Sequence, residues 1–259
     1  MGFLRNIWIP LFAVLISGCA SEDDVGHIKV MMVDSPAPYD AVNIDLIGIE
    51  AHQASSDSNG GWISIGSNPG IYDLLTIRNG FGVIIADQNL PAGHYTQVRL
   101  LLGDRSTVVI DGVEHSLVVP SSMQTGLKLN HQFTIDPNVV YDLTLDFDAE
   151  RSVVLTGNDQ FQLSPVIRLQ ATQSSGTISG TALPAESASA ASIVVGMDTV
   201  SAYADTASGY FKLMAVPAGT YTLTIVPTTI GYQDMALEAV TVVPGQDTNV
   251  GTLLLSGQQ

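Results

Sequence analysis

Four acidic side chains on one stretch of the chain could bind a divalent cation. Residues 141–150 alternate strictly between apolar and polar, as expected for a strand whose successive side chains point to opposite faces. The polar face carries Asp142, Asp146, Asp148 and Glu150, and the apolar face carries Tyr141, Leu143, Leu145, Phe147 and Ala149. Calcium needs several oxygen ligands, whereas alternate residues of a strand are about 6.5–7 Å apart. A loop acid such as Asp34 or Asp159 would have to complete a calcium site. The alternative is the solvated side of a sheet.

Cys19 is the one cysteine of the chain, so it cannot form an internal disulfide. It follows Arg5, an apolar run over residues 7–16 and the small residues Ser17 and Gly18. This is the arrangement of a secretory signal peptide over residues 1–18, with an apolar core too short to span a bilayer. The small residues before Cys19 resemble a bacterial lipobox. The resemblance implies cleavage before Cys19 and lipid on its sulfur and amino group; an ordinary signal peptide with a spare thiol is the alternative.

Residues 19–26 form an acidic tether that contains Glu22, Asp23 and Asp24. An acidic run at this place resembles an export signal of some Gram-negative lipoproteins, and a solvated spacer is the alternative. Ala20 stands where inner-membrane lipoproteins typically carry an aspartate. We therefore expect a cell-envelope protein held at the outer membrane by lipid on Cys19, and surface exposure would be compatible with the tether.

Aromatic residues near predicted loops are the candidates for binding a glycan. Trp62, Tyr39 and Tyr72 lie in or beside such loops, and exposed rings can stack on sugar rings. Trp62 is the single tryptophan after the signal peptide, and a lone tryptophan belongs more often to a core.

Motifs for catalysis are missing from the sequence. The five histidines are scattered without a His-Glu-x-x-His pattern, and no Gly-x-Ser-x-Gly turn is present. We expect no enzyme activity and no cofactor beyond the calcium considered above. A hydrolase that uses acidic residues is the least favoured function.

The charge of the chain argues against nucleic acid as a partner. The 259 residues include 9 Lys and Arg against 25 Asp and Glu, and removal of the signal peptide takes away Arg5 but no acid. Such a surface repels nucleic acid and anionic membranes. The hydrophobic fraction of 46% is too high for a disordered chain.

The elements that must position these side chains are short strands. Val, Ile, Thr and Tyr runs alternate with Gly and Pro turns, and no long amphipathic helix pattern occurs. We predict an all-β protein made of two consecutive β-sandwich domains after the cleaved lipoprotein signal peptide. A small polar linker at residues 173–176 separates domains at 27–172 and 177–259.

The first of these domains resembles a family of unknown function, DUF4382. The resemblance rests on residues 33–36, 39–42, 90–100, 145–149, 152–154 and 165–168. It implies an exported bacterial or archaeal domain with no assigned activity, so no catalytic residue is carried over.

The second domain is similar to carboxypeptidase-regulatory-like domains of transthyretin-like or starch-binding-like fold. The segments that carry this similarity are Ser208-Gly209-Tyr210-Phe211 and Val216-Pro217-Ala218-Gly219-Thr220-Tyr221. The similarity implies a structural or binding module without a peptidase site.

One segment occurs in both domains. Residues 90–96, Leu-Pro-Ala-Gly-His-Tyr-Thr, parallel residues 216–222, Val-Pro-Ala-Gly-Thr-Tyr-Thr. Proline fixes φ and glycine permits positive φ, so both copies should turn the chain sharply into a strand. The two domains are related, or unrelated β folds use the same turn.

Taken together, the sequence favours a non-catalytic, lipid-anchored surface protein that binds a glycan or a protein. The alternative is a structural envelope component that spaces or stabilises a partner complex.

Overall fold

The structure, a computed structural model, describes residues 24–35, 37–54, 58–66, 68–123, 125–158 and 160–257. The signal peptide, Cys19 and most of the acidic tether lie outside these residues, and so does Asp159. The described residues form strands, one short α-helix and a few 3-10 turns, which confirms the predicted all-β class. None of the helices in this part of the chain is long and apolar enough to cross a membrane.

The first half of the chain folds into two sheets around one core. Its strands are β1 (Val25–Ser35), β2 (Ala41–Gln53), β3 (Trp62–Ser64), β4 (Gly70–Asp73), β5 (Val83–Pro91), β6 (Gly93–Leu102), β7 (Thr107–Ile110), β8 (Val113–Val118), β9 (Leu127–Ile135), β10 (Val140–Asp148), β11 (Val153–Leu155), β12 (Phe161–Leu163) and β13 (Ile167–Ala171). Helix α1 spans Ala149–Ser152, and 3-10 turns occupy Ser58–Gly61, Leu74–Thr76 and Ser121–Met123. A four-stranded sheet has the order β13-β10-β1-β5, and a nine-stranded sheet has the order β11-β12-β8-β7-β2-β6-β9, with β3 and β4 also paired to β2.

The second half forms a smaller sandwich. Its strands are β14 (Ser175–Leu183), β15 (Ala190–Val195), β16 (Asp198–Tyr203), β17 (Tyr210–Pro217), β18 (Gly219–Val226), β19 (Met235–Val242) and β20 (Asp247–Leu254), with 3-10 turns at Thr172–Ser174 and Ala185–Ser187. The sheets have the orders β17-β14-β20 and β16-β15-β18-β19. Phe211, Leu213 and Leu223 are among the buried side chains of its own core, which is separate from the core of the first half.

The two sandwiches share one scheme of strand pairing. The first strand of each, β1 or β14, pairs antiparallel with β5 or β17 and parallel with β10 or β20. In the opposite sheet, β6 pairs with β2 and β9, and β18 pairs with β15 and β19. The repeated Pro-Ala-Gly segment carries the chain from one sheet to the other in both domains. This common topology favours the interpretation that the two domains are related.

The inward face of β10 is buried as predicted, whereas the outward face is not exposed to solvent as expected. Leu143, Leu145 and Phe147 are fully buried in the first core, as predicted. Thr144 and Asp146 on the opposite face are also buried, with Asp146 only 8% exposed. The outer face of the four-stranded sheet contacts β16 and β17 of the second domain, so it is an interface between domains rather than a solvated surface.

The residues expected to form a polar linker, 173–176, instead make a tight junction. They continue the 3-10 turn Thr172–Ser174 directly into β14, and the hydroxyls of Ser174 and Ser175 both donate to the Ala171 carbonyl at 3.0 Å. Gly176 is buried, and a Cβ there would come within 2.5 Å of the Val243 carbonyl oxygen. Close packing, rather than flexibility, therefore requires this glycine.

Candidate functional site

The acidic row predicted on β10 does not form one cation site. Asp146 is buried and pairs with Arg168 at 2.6 Å, whereas Asp148 caps helix α1 by accepting from the Arg151 amide at 2.9 Å. Glu150 is exposed in the helix itself, because the strand ends at Asp148. Among the described residues, no group of three or more histidine, cysteine or acidic side chains could hold a metal ion.

Asp34, the proposed loop ligand, belongs to a buried cluster at the domain interface. Its Oδ1 accepts from the Ala149 amide at 3.1 Å, and burial raises the pKa of this carboxyl to about 9. Burial also raises the pKa of Asp146, against the opposing charge of Arg168. Arg168 in turn donates to the Met214 carbonyl of the second domain at 3.4 Å. The cluster therefore helps to join the two domains.

Trp62 is partly buried and packs against two polar side chains. The guanidinium carbon of Arg99 lies 4.1 Å from the centre of its ring, and the ring of His52 approaches at 5.1 Å in an edge-on geometry. Arg99 is held there by an ion pair with Glu50 on the neighbouring strand. These neighbours reduce the ring surface on which a sugar could stack.

The three predicted aromatic residues do not share one surface. Trp62 on β3 pairs with His52, whereas Tyr72 on β4 pairs with Ile44, eight residues away along β2. At about 3.3 Å per residue, this separation is about 26 Å along the strand. Tyr39 is partly buried against the first core, and the Tyr72 hydroxyl donates to the Asn68 carbonyl. These three residues therefore do not come together on one surface.

A cleft lies between the two domains and is lined by residues of both. Its volume is about 950 Å³. The first domain contributes the segment 75–81 apart from Ile77, and the second contributes the ends of β16 and β17 with the loop between them. The aromatic side chains that line it are Phe81, Tyr203 and Tyr210. Ligand sites are commonly clefts of about 300–1,000 Å³ at domain interfaces.

A tight turn presents the first domain's residues to this cleft. Asn79 and Gly80 both have positive φ, 56° and 93°, and the Phe81 amide donates to the Arg78 carbonyl at 3.1 Å. Asparagine and glycine tolerate this backbone better than other residues. Gly80 also lies close to Lys212, whose Cδ would be 3.1 Å from an added Cβ. Arg78 and Phe81, which flank Asn79 and Gly80 in the chain, both line the cleft.

Asn79 fixes the turn against the second domain. Its side-chain nitrogen donates to the Tyr203 carbonyl at 2.9 Å, and its side-chain oxygen accepts from the Lys212 amide at 3.3 Å. One amide side chain thus bridges the backbones of β16 and β17. The position of the cleft walls relative to each other depends on this bridge and on the Arg168 contact.

Asp205 and Tyr203 are polar residues of the cleft whose pKa values shift in opposite directions. Asp205 accepts from the Ser208 hydroxyl and amide and from the Ala207 amide, and these hydrogen bonds, led by that of the hydroxyl, lower the pKa of its carboxyl. Burial, aided by the charge of Glu150, raises the pKa of Tyr203, so its hydroxyl stays protonated. Phe81 is 72% exposed. The cleft thus offers open ring surface beside hydroxyl groups.

The sequence contained one signal for this site that the predictions did not use. Asn-Gly is typical of tight turns, and it stands at Asn79-Gly80 directly before the exposed Phe81. The other wall lies more than 120 residues further along the chain, so no local pattern connects the two walls.

A family model described as a domain of unknown function, DUF4382, matches residues 25–165. The chain belongs to the DUF4382 family. The match covers the first sandwich up to the loop before β13, and it confirms the resemblance seen in the sequence. No curated protein matches the chain.

Several solved structures are similar to this DUF4382 protein over part or most of its length. A mutant type II cohesin–X-dockerin complex from Acetivibrio cellulolyticus is 27% identical over 32% of this chain, which spans 58% of that chain, with a TM-score of 0.26. A minor pilin from Streptococcus agalactiae is 11% identical over 89% of this chain and 96% of that chain, with a TM-score of 0.25. An adhesin-like protein from Bacteroides ovatus is 9% identical over 100% of this chain and 99% of that chain, with a TM-score of 0.24.

Proposed function

We propose that this DUF4382 protein is a non-catalytic, lipid-anchored protein of the cell envelope that binds a glycan in the cleft between its domains. The observation that carries the proposal is the cleft itself, with the rings of Phe81, Tyr203 and Tyr210 beside the hydroxyls of Thr76, Thr206, Ser208 and Thr228. Rings stack on the apolar faces of sugars, and hydroxyls exchange hydrogen bonds with the sugar hydroxyls.

The polar groups of the cleft support binding rather than hydrolysis. Glycosidases of the usual kind use two carboxyl groups that face each other across the bond to be cleaved. Asp205 is the carboxylate among the lining residues, and its Oδ1 already accepts three hydrogen bonds from its own turn. A carboxylate engaged in this way, with its pKa lowered, is a poor proton donor for a leaving group.

The proposed lipid anchor would be attached to Cys19. A lipid-modified Cys19 would precede Val25, the first residue of β1, by only six residues, which would keep the first domain near the membrane. We expect Cys19→Ser to move the protein from the detergent phase to the aqueous phase, or to leave it unprocessed, because the acyl chains would lose their attachment site. Normal processing and unchanged partition into detergent would refute the anchor.

Binding is tested with a glycan array probed by the full chain purified in detergent. The expected result is retention of a defined set of glycans by the wild type and loss of that signal in Phe81→Ala and Tyr210→Ala. Leu155→Ala is the matched control, because it removes an exposed apolar side chain outside the cleft. The proposal fails if no glycan is retained, or if the cleft variants bind as the wild type does.

A further inference from the structure

The cleft holds an arginine that the protein does not neutralise by contact. In the described part of the chain, Arg99, Arg105, Arg151 and Arg168 form ion pairs, with Glu50, Asp45, Asp148 and Asp146 respectively. Arg78, the fifth arginine of that part, forms no ion pair with any described residue. The exception is notable because the chain has 25 acidic residues and only 9 basic ones.

Asp205, an acidic residue that lines the cleft, forms no ion pair with the Arg78 guanidinium. Arg78 helps to lower the pKa of Asp205 through space, yet the hydrogen bonds that Asp205 accepts all come from its own turn. The other cation of the cleft, Lys212, already pairs with Asp247 at 3.2 Å. No hydrogen bond or ion pair joins the Arg78 guanidinium to the described residues, so its donors are open to water or to a ligand.

Arg78 and Phe81 both line the cleft and belong to one tight turn. The Phe81 amide donates to the Arg78 carbonyl, and the intervening Asn79 is bonded to two strands of the second domain. The backbone that carries the guanidinium and the exposed phenyl ring is therefore fixed before any ligand binds. Binding to such a preorganised site costs less conformational entropy than binding to a mobile loop.

We propose that the ligand of the cleft is an acidic saccharide, in which a sugar carboxylate binds the Arg78 guanidinium while the sugar ring stacks on Phe81. The planar guanidinium matches a carboxylate through two parallel hydrogen bonds, and such charge-assisted bonds are stronger than neutral ones. This inference rests on the proposed glycan-binding function and adds the chemical class of the glycan.

The test compares a uronate oligomer with its uncharged counterpart by titration calorimetry on the full chain in detergent. The probes are tetragalacturonate and the same tetramer after reduction of its carboxylates. We expect the acid to bind at least about tenfold more tightly, since a hydrogen bond to a charged group contributes about 1.5–3 kcal/mol. Arg78→Gln should remove that difference. Lys128→Gln, which removes an exposed cation outside the cleft, should preserve it.

The possible outcomes distinguish a failure of the acidic-saccharide inference from a failure of the proposed glycan binding. Equal binding of both tetramers, with loss of both in Phe81→Ala, would overturn the acidic class and leave glycan binding intact. An equal loss of acid binding in Lys128→Gln and Arg78→Gln would show nonspecific charge attraction and would also overturn it. If neither tetramer nor any array glycan binds, the proposed function and the inference both fail.

Discussion

At the scale of single residues, the interface acids show how burial changes the role of a side chain. The sequence predicts Asp34 as a loop acid and Asp146 on the polar face of a strand, yet both carboxyl groups are buried. Asp146 retains Arg168 as a partner, whereas Oδ2 of Asp34 and Nη1 of Arg168 make no hydrogen bond with described residues. A buried charge without full compensation is costly, so protonation of Asp34 is the favourable response.

The raised pKa of Asp34 makes stability depend on pH. In the unfolded chain its pKa is about 3.9, and in the fold it is about 9, so the folded state binds more protons between these values. Stability should therefore fall as pH rises from about 4 to 9, by up to about 1.4 kcal/mol per pH unit from this group. Asp34→Asn, which mimics the neutral acid, should flatten the dependence in urea unfolding at pH 5, 7 and 9. An unchanged slope would contradict the buried protonated acid.

Both faces of β10 should be sensitive to truncation. Phe147→Ala removes a fully buried ring and should cost about 3–5 kcal/mol of unfolding free energy. Asp146→Ala leaves Arg168 without its buried partner and should cost a similar amount, about 3–5 kcal/mol. Glu150→Ala, on the exposed helix, should change stability by under about 0.5 kcal/mol in the same urea titrations. A mild Asp146→Ala would mean that the interface does not bury this ion pair.

At the scale of elements, the repeated Pro-Ala-Gly segment has the same structure in both domains. The Tyr95 hydroxyl donates to the Pro91 carbonyl at 2.8 Å, and the Tyr221 hydroxyl donates to the Pro217 carbonyl, also at 2.8 Å. Each tyrosine thus closes the turn that transfers the chain between sheets. Tyr95 is fully buried and stacks on Phe133, whereas Tyr221 is only partly buried.

Loss of this hydroxyl should cost more in the first domain than in the second. Tyr95→Phe should lower the free energy of unfolding by about 1–2 kcal/mol, because Tyr95 is fully buried and water cannot readily take the place of its hydroxyl. Tyr221→Phe should cost about 0.5–1 kcal/mol, since Tyr221 is only partly buried and water can replace its hydroxyl as donor. Tyr210→Phe, at an exposed ring of the cleft, is the control and should leave thermal and urea unfolding unchanged. Equal costs at both turns would show that burial does not set the difference.

At the scale of the whole molecule, two complete cores meet through a polar interface. The apolar side chains of the second core come from residues 178–255 alone, and the closing hydrogen bonds at Ala171 lie at its border. The interface adds the Arg168 and Asn79 contacts but merges neither core with the other. Each domain therefore has what it needs to fold by itself.

A fragment of residues 172–259 should consequently fold alone. We expect a β-type circular dichroism spectrum and one cooperative thermal transition, because its strands pair among themselves and its core is complete. A fragment that begins at residue 178 is the control and should be less stable, since it loses the pairing of Ser175 and Gly176 with β17. Folding of residues 172–259 only in the presence of the first domain would contradict this independence.

The sequence by itself determined the all-β class, the family of the first domain, the inward face of β10 and the two Pro-Ala-Gly turns. The family rests on the resemblance of its motifs, whereas the other features depend on side-chain alternation and on backbone preferences of proline and glycine, which act over a few residues. Only the tertiary structure decided that the outer face of β10 is buried, that Trp62 is covered by Arg99, and that Arg78 and Phe81 share a cleft with Tyr203 and Tyr210. Those outcomes depend on how surfaces that are tens to more than a hundred residues apart pack together, and a local periodicity carries no information about which surface will cover a given face.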